Sequence, residues 1–597
     1  MIRTPLRPLA RILKARESGE NPDAIERDNK RKRHEEMRDQ SRRRAEGSLV
    51  VLGLFFLTAF GAVGGRMATL SASDVAEPRS SAMNVQIRSN RADILDRRGR
   101  ILATNHDTYS LYAHPHQMID KDGTITKLLE IFPDLNEQKL RKELGGNRKF
   151  AWVKKRLSPE QKQAAHDIGD PGLLFGPREM RLYPNGAIAA HILGGTRFGE
   201  QGVSSAEVLG VAGVEKFFDD RLRDPAKANE PLELSLDLTV QAASEEVLFN
   251  GMKIMNAKGA SSVLMDAKTG EVISVVSLPD FDPNNRPRPL TVADKDKDQS
   301  DSPLFNRALQ GVYELGSTFK IFTAAQAVDL GIADADTIID TKGPMRVGRR
   351  SIGEFENKNY GKLSVSDIMV KSSNRGTGRL ALEIGAERQQ EFLKSLGFFE
   401  AAPVETVERG TPLLPPKWTE LSTVTISYGH GLSTSPMQLA AGYAAIANGG
   451  TAVTPTLLKQ DSTVPLGPRV MSPEAAREAQ KMLRAVVTDG TASFGDVPGY
   501  SVAGKTGTAD KPKPTGGYYE DRVIATFATM FPSHDPKYVL IVTLDEPEIM
   551  GLGRMRRSAG WTAVPVTAEM IRRVAPLLDL RPTVEPASLA RVTLTSQ

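Results

Sequence analysis

Ser317 and Lys320 form the one Ser-x-x-Lys in this 597-residue chain. On a helix, that spacing puts the hydroxyl and the amine on one face, about 5–6 Å apart between Cβ atoms. A serine activated by an adjacent base is an acyl-transfer nucleophile. Gly316 precedes the pair, and residues 318–330 are apolar at helical spacing without an interior Gly or Pro. Ser317 is therefore predicted at a helix start, where free amides and the macrodipole favour negative charge. Taken alone, the tetrapeptide also reads as an N-cap serine followed by a surface lysine. Two downstream motifs shift the balance.

Ser372-Ser373-Asn374 follows a predicted helix ending at Lys371. On a loop, Ser372 can relay a proton and Asn374 can donate its amide into the same cleft. Lys505-Thr506-Gly507-Thr508 lies in a strand opened by Ser501-Val502-Ala503. Alternation sends Lys505 and Gly507 to one face and Thr506 and Thr508 to the other, and Gly507 leaves room for a substrate strand. His430 sits between glycines, as a tight turn requires. The chain has no cysteine and eight scattered histidines, so neither a thiol nucleophile, a disulfide nor a metal or cofactor site is expected. Serine chemistry remains.

The elements that must position these residues are legible in outline. Residues 262–266 and 271–276 read as two antiparallel strands with a tight turn, and 500–508, 523–531 and 538–544 resume a sheet near the C-terminus. Helical patterns fill the interval, which predicts an α+β fold. Residues 293–303 and 511–517 are expected to be solvated loops, and the loop from Ala509 to Tyr519 borders the third motif.

The first 46 residues hold 14 Lys or Arg against 9 Asp or Glu, a surplus of five that equals the charge of the whole chain. The basic excess is thus confined to the N-terminus, and a nucleic-acid partner loses its support. Gly47 to Gly65 follows without a charge; at 1.5 Å per residue it makes a helix of about 28 Å, the thickness of a bilayer core. Arg42 to Arg44 precede it and only Arg66 follows directly, so the positive-inside rule puts the N-terminus in the cytoplasm and the rest outside.

Ser-x-x-Lys, Ser-x-Asn and Lys-Thr-Gly in this order resemble the penicillin-binding proteins and serine β-lactamases. Asn306-Arg307-Ala308, Tyr313-Glu314-Leu315-Gly316, Tyr428-Gly429-His430-Gly431, 435–440 and Asn448-Gly449-Gly450 are similar to the class B members, and residues 504–509 with 428–431 to the division type, FtsI-like. The blocks at 93–103, 181–186 and 210–215 look like that family's pedestal. The resemblance implies a basic cytoplasmic tail over 1–46, a transmembrane helix over 47–66, an elongated periplasmic pedestal of the dimerisation type over 67–228, a transpeptidase domain with an antiparallel sheet over 229–580 and a tail over 581–597. Leu315 departs from the family's usual proline, and Arg375 from its smaller residue.

It also implies a D,D-transpeptidase of septal cell-wall synthesis, acting on peptidoglycan stem peptides that end in D-Ala-D-Ala and inhibited by β-lactams. Ser317 would be the nucleophile and Lys320 its base, with Lys505 as the second cation that lowers the lysine's pKa. Ser372 would bridge protons, and Asn374 would hold substrate or orient Lys320. The amides of Ser317 and Thr508 would form an oxyanion hole, and Lys505, Thr506 and Thr508 would bind the terminal carboxylate beside Gly507. Family analogy makes an FtsW-like glycosyltransferase and other membrane proteins of the division machinery its partners, at the cell inner membrane. An elongation-type enzyme, an inert division scaffold and a β-lactamase or β-lactam sensor are the competing expectations.

Overall fold

The computed structural model describes residues 7–72, 91–201, 206–291, 298–460, 467–513 and 516–583, with the backbone alone at 7–10, 22, 26, 29, 33, 40–51, 67–72, 200–201 and 206–207. Two units divide the chain: Met1–Ala82 with Leu111–Phe175, and Met83–Ser110 with Gly176–Gln597. In the first, one helix runs from Pro22 to Ala72 and carries the apolar segment; Leu52, Phe55, Leu57 and Phe60 are exposed on it. Residues 47–51 of the expected transmembrane helix lie outside those with described side chains, and among the described residues no helix is long and apolar enough to cross a membrane. Helices Lys121–Ile131, Glu137–Leu144 and Pro159–His166 are capped by Asp120, Asn136 and Ser158. They enclose a small core that includes Ile125, Leu128, Phe132, Leu140 and Leu144.

The second unit is built on a five-stranded antiparallel sheet of β1 (Gly259–Asp266), β2 (Val272–Leu278), β3 (Ala503–Pro512), β4 (Tyr518–Phe531) and β5 (Tyr538–Asp545). Its order is β3-β4-β5-β1-β2, which makes β3 an edge strand. Every residue of β2, and all but Asp266 of β1, is buried, so both faces of the sheet must be covered. Helices α1 (Leu238–Ile254) and α8 (Ala563–Val574) pack as one pair on it, and α6 (Pro436–Ala447) and α7 (Pro473–Asp489) as another.

Between β2 and β3 the chain inserts the helices that carry the first two motifs: α2 (Lys320–Asp329), α3 (Val365–Lys371), α4 (Asn374–Ile384) and α5 (Glu420–Ser427). Residues 320 to 327 of α2 are all buried, as a helix apolar all round must be. Of the solvated loop expected over 511–517, Lys511 and Pro512 belong to the sheet, as do Ala509, Asp510, Tyr518 and Tyr519 of the wider segment that borders the third motif. β3 runs on to Pro512, β4 starts at Tyr518, and Pro512 pairs with Tyr518. Lys511 holds the extension by ion pairs to Asp545 at 2.9 Å and Glu546 at 2.8 Å. Residues 514–515, like 292–297 of the other expected loop and 584–597 of the C-terminal tail, lie outside the described residues.

Candidate active site

The nucleophile turn is locked by close backbone packing. Residues Gly316–Phe319 make a 3-10 turn that runs into α2 at Lys320. Gly316 has φ +55, and a Cβ there would meet the Thr508 carbonyl oxygen at 2.9 Å. A Cβ on Gly507 would overlap the Leu315 carbonyl, and one on Gly429 the Gly316 carbonyl. Three segments far apart in sequence thus interlock through glycines. Gly507 has a different job from the expected one: its bare face meets the nucleophile turn, not a substrate strand. Glu314 accepts from the Gly431 amide at 2.7 Å and from the Tyr518 hydroxyl at 3.0 Å on each carboxylate oxygen. His430 belongs to this support, its amide donating to the Thr425 carbonyl.

Ser372 ends α3 in the left-handed region, with φ 59 and ψ 44, a conformation uncommon for a residue with a side chain. There its hydroxyl lies between two lysines, 3.1 Å from Lys320 Nζ and 3.0 Å from Lys505 Nζ. Lys320 also donates to the Ser372 carbonyl, and Lys505 to the Thr506 carbonyl at 3.2 Å. Both lysines are fully buried. Burial lowers the pKa of Lys320 well below the ordinary value, and the Lys505 charge lowers it further, against the opposing pull of Glu354. Burial alone brings Lys505 down to about 7. A hydroxyl can donate to an amine only when that amine is neutral. The arrangement of two amines of lowered pKa around one hydroxyl could therefore pass a proton. Lys320 Nζ is held by Ser372, while Ser317, half-buried, precedes Lys320 by one turn.

Asn374 is the first residue of α4, where a loop position was expected, because two groups cap that helix start. Ser373 Oγ accepts from the Gly376 amide at 3.0 Å, and the Glu354 carboxylate accepts from the Asn374 and Arg375 amides at 2.7 and 3.1 Å. The Asn374 side-chain amide donates to the Gly353 carbonyl at 3.0 Å, so it is anchored in the protein and makes no hydrogen bond to Lys320. Thr506 Oγ1 pairs with Thr491 Oγ1 at 2.7 Å, and Thr508 Oγ1 accepts from the Ala559 amide at 3.0 Å. Both threonines are thereby oriented along β3, whose outer edge has no strand neighbour among the described residues. An extended peptide can add to such an edge.

Comparison with known proteins places the chain in a family. Residues 260–571 match the family of the penicillin binding protein transpeptidase domain, and 86–229 that of the penicillin-binding protein dimerisation domain. The chain belongs to the penicillin-binding protein family. Among curated relatives, a probable peptidoglycan D,D-transpeptidase FtsI of Caulobacter vibrioides is 34% identical over 510 residues, 84% of this chain and 83% of the relative. The peptidoglycan D,D-transpeptidase FtsI of Escherichia coli is 28% identical over 486 residues, 78% of this chain and 80% of the relative. A crystal structure of penicillin binding protein 3 from Mycobacterium tuberculosis, complexed with aztreonam, has a TM-score of 0.62 at 24% identity, covering 83% of this chain and 97% of that one. The fold is that of the transpeptidase domain with an N-terminal dimerisation domain.

The two departures from the penicillin-binding pattern have places in the structure. Leu315 is buried, and its carbonyl takes the Thr318 hydroxyl at 2.9 Å and faces Gly507. Arg375 aims its guanidinium at the Ile352 carbonyl, Nε to O 3.1 Å, on the backbone segment that carries Glu354. Sequence reasoning missed Glu354 as a member of the site. It stands 18 residues before Ser372 in a segment without periodicity, and nothing local marks it.

Proposed function

We propose that the chain is a peptidoglycan D,D-transpeptidase that cross-links stem peptides ending in D-Ala-D-Ala during septal wall synthesis, through an acyl ester on Ser317. The observation that carries this reading is the Ser372 hydroxyl between two buried lysines, one turn from a half-exposed serine at a helix start. Ser317 Oγ bonds to the penultimate carbonyl carbon and passes its proton to neutral Lys320. The bond to the terminal D-alanine nitrogen then breaks, and the proton reaches that leaving amine through Ser372. An amine of a second stem repeats the sequence in reverse and takes the acyl group. The amides of Ser317 and Thr508, whose backbone lies against Gly316, hold the oxyanion, and loss of one such donor typically costs 10²–10³ in rate. β-Lactams acylate the same serine. Incubation of the intact chain with a fluorescent penicillin tests this: Ser317→Ala is expected to abolish covalent label, and label retained at this site would overturn the assignment.

The same reading makes the protein a single-pass inner-membrane protein with its catalytic domain in the periplasm and an FtsW-like glycosyltransferase as partner. Its support is the uncharged run Gly47–Gly65 in one continuous helix, behind Arg42, Arg43 and Arg44. Protease added to spheroplasts is expected to digest the domain after residue 66 and leave a tag at residue 1 intact. The opposite pattern would overturn the topology.

A further inference from the structure

Glu354 is a carboxylate with no catalytic assignment, yet it is 6% exposed and accepts three hydrogen bonds. Ser373 Oγ donates to it at 2.6 Å, the Asn374 amide at 2.7 Å and the Arg375 amide at 3.1 Å. Burying a carboxylate is costly, and α4 already has an N-cap in Ser373. Helix capping alone therefore does not account for it. The three donors sit immediately after Ser372, at the pivot where α3 ends and α4 begins. The preceding carbonyl, that of Gly353, takes the Asn374 side-chain amide. One two-residue step thus fixes the left-handed turn that aims Ser372 between the lysines and the side chain of Asn374 beside it.

Its charge matters as well. The groups acting on Lys320 are Lys505 from β3 and Glu354 from the segment ahead of α3, so Glu354 is the anion that opposes burial and the Lys505 charge at Lys320. Around Glu354 itself stand Lys320, the amide of Arg375, and the phenols of Tyr360 and Tyr428. Burial and then neighbouring carboxylates hold both phenols in their neutral form, Tyr428 up to about 12, so neither offsets the carboxylate's charge near neutral pH.

We propose that Glu354 is a positioning residue for acylation, holding Ser372 and Asn374 in place and supplying the negative charge felt by Lys320. The inference rests on the acyl-serine reading above. Its test is the second-order acylation rate of the full chain by a fluorescent penicillin, measured from acid to alkaline pH in the parent, Glu354→Gln and Glu354→Asp, with thermal unfolding as the check on folding. Glu354→Gln removes the charge. Lys320 then stays neutral to lower pH, so the acid limb moves down by about one pH unit. The plateau falls by about 10- to 100-fold as the relay loses its placement. Glu354→Asp keeps the charge and withdraws the carboxylate, so the limb stays and only the plateau drops. A folded Glu354→Gln whose acid limb coincides with the parent's would overturn the proposal. If Glu354→Gln does not fold, a parent-like plateau in Glu354→Asp overturns it, and a lowered plateau on an unmoved limb supports it. An unlabelled parent would instead sink the acyl-serine reading, which keeps the two failures apart.

Discussion

Two clusters of buried charge in the same unit are built on opposite terms. In the part that matches the dimerisation domain, Arg91 is 1% exposed and donates to Glu215 at 2.6 Å and to Asp219 at 2.8 Å. Arg181 meets the other Glu215 oxygen at 2.7 Å. Burial opposes the Arg91 charge, but Glu215 and Asp219 outweigh it and hold the guanidinium firmly protonated. In the cleft, Lys320 and Lys505 share a neutral hydroxyl, and among the described residues neither forms an ion pair, Glu354 being the carboxylate that acts on Lys320. The first cluster matches cation to anion and fixes a fold; the second leaves amines poised to lose protons and performs chemistry.

That contrast can be broken from either side. The largest stability effect is expected from Arg91→Met, which takes the fully buried guanidinium from both Glu215 and Asp219 and leaves them only Arg181 and Arg223; about 3 kcal/mol should be lost in denaturant unfolding, with penicillin labelling intact wherever the protein is folded. A smaller loss at this position would mean that water reaches the cluster. Lys505→Met should do the reverse, abolishing acylation while raising the unfolding temperature near neutral pH. The sign follows from the protonation states. Below about pH 7 the buried Lys505 amine is charged and costs stability. Between there and the ordinary lysine pKa of about 10.4, the unfolded chain holds a proton that the folded one lacks, so the cost fades as pH rises. The advantage of Lys505→Met should therefore shrink towards pH 10, and an advantage independent of pH would contradict the burial argument.

Tyr518→Phe removes the phenol that donates to Glu314 behind the nucleophile turn, and a loss of about 1 kcal/mol with a several-fold slower acylation is expected from stopped-flow labelling. The smallest effect belongs to Arg375→Ala. Only its guanidinium contact to Ile352 is lost, while its amide still reaches Glu354, so stability should change by about 0.5 kcal/mol or less and the acylation rate hardly at all.

The three motifs and the strands around them were readable because each carries a local signal, a fixed spacing or an alternation. Where the prediction and the structure differ, the deciding contact is distant in sequence. Asn374 opens a helix because Glu354, 20 residues earlier, takes its amide. Gly507 is small because Leu315, nearly 200 residues earlier, lies against it. The extension of β3 to Pro512 depends on Lys511 finding Asp545 and Glu546. Composition gave no hint of these pairings, since each residue satisfies a partner that only the fold brings near. The poised state of Lys320 is of the same kind: a lysine three residues after a serine is unremarkable until Lys505 and burial act on it.

The pH dependence of acylation of the intact protein by a fluorescent penicillin tests that central claim most directly. With Lys320 as a base of strongly lowered pKa, the rate should reach its plateau well below the ordinary lysine value and fall only on the acid side of it. A rate that keeps climbing to about pH 10, with its midpoint at the ordinary lysine value, would contradict it.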